Sequence, residues 1–215
     1  MKEWTGNSNS IFKTIGASNH TEKEREQDDF YATDLIAIDL LLMKEKPSHN
    51  IWECACGAGH LSKRLREHGY SVIYTDIKDR GVAFYYNYDF LKALNNEKIP
   101  IELPSNGDFD ILTNPPYKYA KEFVLKALEV LKEGHKCYMF LKLTFLEGKD
   151  RYIELFSKYP PKMIYSFPKR VMCAKNGDFE GMKKGGGSAV AYAWFVWEKG
   201  YTGLPQHDWL YKEEQ

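Results

Sequence analysis

Residues 109–117 read FDILTNPPY, and this stretch joins an apolar strand to a stiff turn. The run at 109–113 is typical of a buried strand that ends where the turn begins. Pro115 and Pro116 fix two φ angles and remove two backbone donors, so the turn is rigid and its carbonyls can accept hydrogen bonds from elsewhere. Asn114 adds a side-chain acceptor and Tyr117 adds a flat ring. The stretch therefore predicts a site for a planar group that bears an NH2, such as the amino group of adenine.

Outward from this stretch, strand-like runs alternate with amphipathic helical segments. We predict strands at 50–56, 71–77, 82–88, 109–113, 136–145, 162–167 and 189–198, and helices at 34–44, 61–68, 120–133 and 149–158. This alternation predicts an α/β fold with a doubly wound, mostly parallel seven-stranded sheet. No helical pattern joins the last two strands, so we expect them to form an antiparallel pair at one edge of the sheet.

The length and charge of the chain predict one domain with only local basic surface. The 215 residues suffice for a single α/β domain, which we place at 30–215 after a polar N-terminal arm at 1–29. Within that domain we expect the basic loop at 169–189 to face the substrate. Lys and Arg together number 30, as do Asp and Glu, so a uniformly basic surface is not expected.

Membrane, secretion and metal signals are not found in the sequence. No apolar run reaches the roughly 18 residues of a transmembrane candidate, and the first residues lack the apolar core of a signal peptide. The four cysteines do not have the paired spacing of a zinc site. We therefore expect a cytoplasmic protein with reduced, buried thiols, no metal and no membrane partner.

A second candidate site surrounds the glycine-rich sequence ECACGAG at 53–59. It follows the first predicted strand, and its glycines allow a ligand to approach the backbone, although an ordinary tight βα turn has the same pattern. Ser62 interrupts the GxGxxG pattern, which disfavours a dinucleotide. Asp76 ends the second strand, where it can hold a ribose diol, cap a helix or be a surface charge.

Asp89 and Phe90 follow the third predicted strand and allow two interpretations. The carboxylate can accept a hydrogen bond from an adenine amino group while the ring covers the base. Alternatively, Asp89 caps a short helix and Phe90 belongs to the core.

Four motifs occur in an order and spacing that resemble a known family. They are ECACGAGHLS at 53–62, YTDI at 74–77, YDFL at 88–91 and DFDILTNPPY at 108–117. Together they resemble the S-adenosylmethionine-dependent amino-methyltransferases with an NPPY motif, in particular small phage-type DNA N6-adenine methyltransferases. FYAT at 30–33 also resembles the upstream Tyr-x-Thr-Pro motif of those enzymes, except that Asp34 replaces the proline.

The resemblance implies a Rossmann-like class I methyltransferase fold, S-adenosylmethionine as cofactor and the N6 amine of adenine in DNA as methyl acceptor. The residues implied for catalysis are Asn114, Pro115, Pro116 and Tyr117. The residues implied for cofactor binding are Tyr31, Thr33, Glu53, Cys54, Ala55, Gly57, Gly59, Asp76, Ile77, Asp89, Phe90 and Asn114. Tyr117 is also expected to stack on the target base.

The C-terminal part of the chain offers further candidates for nucleic-acid binding. Phe167 can stack on the far face of the target base, or it can be a core residue. Residues 162–184 hold six Lys or Arg against two acidic residues. Arg170, Lys183 and Lys184 can therefore follow a phosphate backbone, although a solvated surface loop has the same composition. The tryptophans at 194 and 197 are expected in the sheet core.

Other functions are compatible with the same motifs. An RNA (rRNA) adenine N6-methyltransferase, a protein glutamine N5-methyltransferase and a cytosine N4-methyltransferase use similar tetrapeptides. The glutamine enzymes usually carry a helical N-terminal domain, for which the arm at 1–29 is too short. A cofactor-binding accessory subunit without turnover is the non-enzymatic alternative. Because little chain remains for target recognition, we expect relaxed specificity or a partner that supplies it, and the oligomeric state stays open.

Overall fold

The structure is a computed structural model that describes residues 31–82, 86–92, 103–104, 106–175, 177–184 and 190–213. The arm predicted at 1–29 lies outside the described residues, as do residues 185–189 of the predicted basic loop. None of the helices in the described ranges is long and apolar enough to cross a membrane.

The described residues form ten strands and five α-helices. The strands are β1 Tyr31–Thr33, β2 Asn50–Glu53, β3 Ser71–Asp76, β4 Tyr86–Asn87, β5 Asp110–Thr113, β6 Lys136–Lys142, β7 Met163–Ser166, β8 Cys173–Lys175, β9 Tyr192–Glu198 and β10 Gln206–Trp209. The helices are α1 Ile36–Leu42, α2 His60–Glu67, α3 Ala120–Val130, α4 Lys149–Arg151 and α5 Phe179–Lys184. Short 3-10 turns cover Phe90–Lys92, Tyr117–Tyr119 and Leu143–Leu146, and a π-helical turn covers Tyr152–Phe156.

Eight of the strands form one sheet in the order β10-β7-β9-β6-β5-β2-β3-β4. Its neighbours are parallel except at β9, which is antiparallel to both β6 and β7. Helices cover both faces, because side chains of α1 and α2 pack in one apolar cluster and those of α3 in the other. The prediction of a doubly wound, mostly parallel α/β sheet is therefore confirmed.

The far edge of the sheet differs from the prediction. β7 and β9 are antiparallel as expected, but β10 adds to β7 in parallel, so the pair lies inside an eight-stranded sheet. Residues 206–209 read QHDW and are largely exposed, so they lack the apolar run by which a strand is recognised. The segment between β7 and β9, for which no helix was predicted, contains β8 and α5.

Two predicted elements are shorter or more irregular in the structure. The strand predicted at 82–88 is described only at Tyr86–Asn87, and residues 83–85 lie outside the described ranges. The helix predicted at 149–158 is one turn of α4 that continues as the π-helical turn. Trp194 and Trp197 are fully buried on β9, which confirms their predicted place in the core.

A topological switch point lies between β2 and β5. From β2 the chain adds β3 and β4 on one side, and it then returns to add β5 and β6 on the other. Because β2 is parallel to both β3 and β5, the carboxyl ends of these three strands meet at one edge. In doubly wound folds ligands bind at such a point. The glycine loop after β2, Asp76 on β3 and Asn114 after β5 all lie there.

β1 and β8 form a separate two-stranded antiparallel sheet, which we call the ribbon. Its register pairs Tyr31 with Lys175, Ala32 with Ala174 and Thr33 with Cys173. The ribbon brings the start of the described chain to the segment between β7 and β9. No apolar pattern in the sequence distinguishes these three-residue strands, and they were not predicted.

Candidate active site

The glycine loop is tied to the end of β3 by a backbone hydrogen bond. Gly57 N donates to Asp76 Oδ2 at 2.8 Å, and Lys78 N donates to Asp76 Oδ1 at 3.1 Å. Gly57 and Gly59 have φ of 55° and 74°, which disfavour a side chain at either position. A Cβ at Gly59 would also lie 3.1 Å from a methyl of Val82. The loop therefore closes on the Asp76 carboxylate at the end of β3.

Glu53 is buried beneath this loop and keeps its proton. Its side chain is 1% exposed, and the hydroxyl of Ser62 on α2 donates to it. Burial, helped by repulsion from Asp76, raises the pKa of Glu53 to about 8. The side chain of Cys54 faces the apolar cluster under α3, and burial raises the pKa of its thiol. The side chains of these two predicted cofactor residues therefore point into the protein, whereas Ile77 is 61% exposed beyond β3.

The side-chain amide of Asn114 is oriented by the ribbon. Its Nδ2 donates to Tyr31 O at 3.0 Å and to Thr33 Oγ1 at 3.0 Å, and lies 3.4 Å from Cys173 Sγ. A backbone carbonyl can only accept, so the NH2 end of the amide must face Tyr31. The planar group therefore turns its acceptor, Oδ1, away from the ribbon.

Tyr117 follows the two prolines and packs among other aromatic rings. Its ring centroid is 6.1 Å from that of Tyr31 and 6.1 Å from that of Tyr192, and its hydroxyl is 3.3 Å from Cys173 Sγ. Burial raises the pKa of this phenol, so it stays neutral. The ammonium of Lys142, at the end of β6, lies 5.0 Å from the ring centroid.

A small cavity of about 140 Å³ opens beside Tyr117. Its lining residues are Tyr117, Ala120, Leu141, Lys142, Thr144, Phe145 and Arg151. Arg151 donates to Phe145 O at 2.9 Å and so holds the segment after β6 in place. The cavity is much smaller than a site for a drug-sized ligand, and it suits one small group.

Asp89 and Phe90 have the environments of a cap and of a core residue, as in the second of the two interpretations given above. Phe90 is 2% exposed, and its ring packs 5.1 Å from those of Trp52 and Phe123. Asp89 Oδ1 accepts from Leu91 N at 3.1 Å, as a cap of the 3-10 turn does. A cofactor role for Asp89 stays a prediction, and Phe90 has the environment of a core residue.

The residues predicted to bind nucleic acid are spread along the same edge of the sheet. Phe167, after β7, packs 6.2 Å from Phe140 and belongs with the core cluster. Arg170, three residues further, is exposed. Lys183 and Lys184 end α5, and Lys183 lies 3.4 Å from Glu180.

α5 lies against the start of α2, next to the glycine loop. The ring of Phe179 on α5 is 6.5 Å from that of His60, the first residue of α2. A Cβ at Gly177 would lie 3.7 Å from the same imidazole. Gly177 and α5 thus contact the protein next to the glycine loop.

Cys173, Tyr192 and Lys142 belong to the site and were not predicted from the sequence. Cys173 was expected only as one of four reduced, buried thiols, and Tyr192 only as part of the strand predicted at 189–198. Lys142 ends β6 without a motif around it. These residues lie 25, 56 and 75 residues from Tyr117 in the chain, so only the folded structure brings them to its ring and hydroxyl.

The raised pKa of Glu53 predicts a stability that depends on pH. The carboxyl titrates near 4.5 when it is unfolded and near 8 in the folded chain, so the folded state holds one more proton between these values. The free energy of unfolding should therefore fall as pH rises from 5 to 8, by up to about 1.4 kcal/mol per pH unit. Glu53→Gln removes this titration. Between pH 5 and 8 the free energy of unfolding, measured with urea, should therefore fall less for the variant than for the parent.

Glu154→Gln is the matched control for this measurement. Lys121 lowers the pKa of the exposed Glu154, so this group titrates below the range and the variant should follow the parent. Identical pH profiles for the parent chain and Glu53→Gln would contradict a buried, protonated Glu53.

Comparisons with known proteins bear on the fold. No family model and no curated protein matches the chain. A candidate hemolysin from Lactococcus lactis superimposes with a TM-score of 0.51 at 10% identity, over 80% of this chain and 88% of that one. TrmN from Thermus thermophilus gives a TM-score of 0.49 at 15% identity, over 76% of this chain and 48% of that one. The chain therefore spans about half of the length of TrmN.

An S-adenosylmethionine-dependent O-methyltransferase from Thermotoga maritima gives a TM-score of 0.47 at 14% identity, over 77% of this chain and 65% of that one. At these identities the comparisons concern the fold alone. The chain has a doubly wound, Rossmann-like α/β fold.

Proposed function

We propose that the chain is an S-adenosylmethionine-dependent methyltransferase that methylates the exocyclic N6 amine of adenine in DNA. The observation that carries the proposal is the orientation of Asn114, whose NH2 end is bound by the ribbon and whose acceptor end is turned away from it. This side chain follows β5 at the switch point, beside the glycine loop. The order of the four sequence motifs supports the same assignment.

The residues at the switch point fit S-adenosylmethionine. The positive φ of Gly57 and Gly59 lets a ligand approach the loop backbone closely, and Asp76 offers carboxylate oxygens to a ribose diol. The exposed side chain of Ile77 suits the face of a base. Tyr31 and Thr33, on the ribbon, would lie toward the methionine part. When bound, this cofactor supplies a methyl group that its sulfonium already activates, so the protein has mainly to position the acceptor.

The acceptor amine is a weak nucleophile because its lone pair is delocalised into the adenine ring. We assign Asn114 Oδ1 and the carbonyl of Pro115 as acceptors for its two hydrogens, an arrangement that favours a pyramidal nitrogen. Fixed acceptors also stabilise the positive charge that builds on nitrogen in the transition state. The ring of Tyr117 provides a face for the base, and a base in a duplex would have to be flipped out to reach it.

Lys142 and the cavity beside Tyr117 support a charged substrate at this position. The ammonium already interacts with the ring on which the base would stack, and a long lysine side chain can move aside while keeping its charge nearby. A cation here suits the phosphate groups of a flipped nucleotide better than it suits a protein glutamine. The basic residues after β7 and on α5 lie at the same edge of the sheet.

Removing the side chain of Asn114 tests the assigned chemistry. Asn114→Ala should lower the rate of methyl transfer by at least ~100-fold, because one of two fixed acceptors is lost. Cofactor affinity, measured by calorimetry, should change only a few-fold. Asn50→Ala is the control, because Asn50 donates to Asp108 O at the opposite edge of the sheet. Unchanged turnover of Asn114→Ala in a labelled methyl-transfer assay would refute this mechanism.

The substrate is tested by identifying the methylated nucleoside. The chain is incubated with labelled S-adenosylmethionine and either DNA or RNA, and the product is digested and analysed by mass spectrometry. We expect N6-methyladenine in DNA, and none with Asn114→Ala. Methylation confined to RNA would assign the rRNA-type alternative, and cofactor binding without transfer to any substrate would assign the accessory role.

Arg170, Lys183 and Lys184 are proposed to contact the phosphate backbone. Replacing all three with Gln should weaken DNA binding and flatten its salt dependence, since each phosphate contact contributes about 0.9 to the slope of log K against log salt. The measurement is a titration of labelled DNA at several salt concentrations.

The matched control for this variant removes three positive charges from the opposite edge of the sheet. Its substitutions to Gln are at Lys46, Lys132 and Lys158, which precede β2, β6 and β7. The control should keep the salt slope of the parent. If the Arg170, Lys183 and Lys184 variant also keeps that slope, this segment is not the phosphate contact.

A further inference from the structure

The sulfur of Cys173 touches both functional side chains of the NPPY turn. Cys173 Sγ lies 3.4 Å from Asn114 Nδ2 and 3.3 Å from the hydroxyl of Tyr117. Sulfur is a weak acceptor and the thiol a weak donor, and both distances are within the range of hydrogen bonds to sulfur. One atom therefore connects the amide to the phenol across a turn whose backbone is already rigid.

Cys173 is placed by long-range packing. It pairs with Thr33 in the ribbon, and Thr33 is itself an acceptor for the Asn114 amide. The thiol is 2% exposed, and burial raises its pKa, so it stays a neutral thiol. A buried, protonated thiol is a poor nucleophile, which leaves its contacts as its means of affecting the site.

We propose that Cys173 is a positioning residue of the active site. Its sulfur holds the Asn114 amide and the Tyr117 phenol in one mutual orientation, with Asn114 Oδ1 and the Tyr117 ring presented together to the acceptor base. The proposal rests on the proposed function for its catalytic consequence, but the geometry that it assigns is measurable without turnover. Small losses of alignment cost much in rate, because a displacement of about 1 Å can lower a rate by ~100-fold.

Three substitutions of Cys173 distinguish a positioning role of its side chain from a role in packing alone. Cys173→Ala should lower kcat by about tenfold or more and leave the KM for the cofactor within a few-fold of the parent. Cys173→Ser keeps a hydroxyl where the thiol stood and should recover most of the loss. Cys173→Val fills the volume without a polar atom and should behave like Cys173→Ala.

Cys137→Ala is the matched control. Cys137 is a fully buried free cysteine on β6 and packs in the cluster under α3. Its truncation should lower Tm while leaving kcat close to that of the parent. A Cys173→Ala variant that lost stability but kept its kcat would reduce Cys173 to a packing residue and overturn the proposal.

An NMR measurement keeps the test independent of catalysis. In a 1H–15N spectrum of the full chain, the side-chain NH2 pair of Asn114 is assigned by its disappearance in Asn114→Ala. This pair should shift in Cys173→Ala and stay in place in Cys137→Ala. A shift in a chain that methylates nothing would support the positioning and refute the proposed function. An unmoved pair with unchanged kcat would refute the positioning alone.

Discussion

The hydrogen bonds from the Asn114 amide to the ribbon are the interaction on which the site depends. The two prolines after Asn114 fix the backbone of the turn, but they leave the side-chain amide free to rotate about its last torsion. Tyr31 O and Thr33 Oγ1 remove that freedom, since both accept from the same NH2 group. The orientation of Asn114 Oδ1 thus has two causes: the rigid backbone of the turn and the hydrogen bonds from the side-chain amide to the distant ribbon.

The ribbon is short, so its own ladder cannot account for its stability. A two-stranded sheet with three residues in each strand is marginal in water. Its inner residues are buried instead: Ala32, Thr33, Cys173 and Ala174 are each at most 3% exposed. The orientation of Asn114 therefore depends on the apolar cluster that also holds α1 and α2. Loosening the ribbon would expose apolar side chains, and this ties the geometry of the site to the core.

The sequence predicted the parts of the site that are encoded locally. The strand before Asn114, the glycine loop and Asp76 each follow from neighbouring residues, and the switch point then brings them together. The contacts of Cys173 could not be predicted, because they arise from the pairing of two three-residue strands far apart in the chain. β10 was missed for a related reason, since a polar edge strand needs a partner and carries no apolar pattern of its own.

Two acidic side chains, Glu53 and Asp76, lie near the glycine loop and differ in burial and in their hydrogen-bond partners. Glu53 has the hydroxyl of Ser62 as its partner and almost no contact with water, so it holds its proton. Asp76, one strand away, accepts hydrogen bonds from two backbone N–H groups, those of Gly57 and Lys78. A charged Glu53 would be repelled by Asp76, and this repulsion contributes to the raised pKa of Glu53. A neutral Glu53 avoids this repulsion beside the carboxylate that accepts from Gly57 N and so ties the glycine loop to β3.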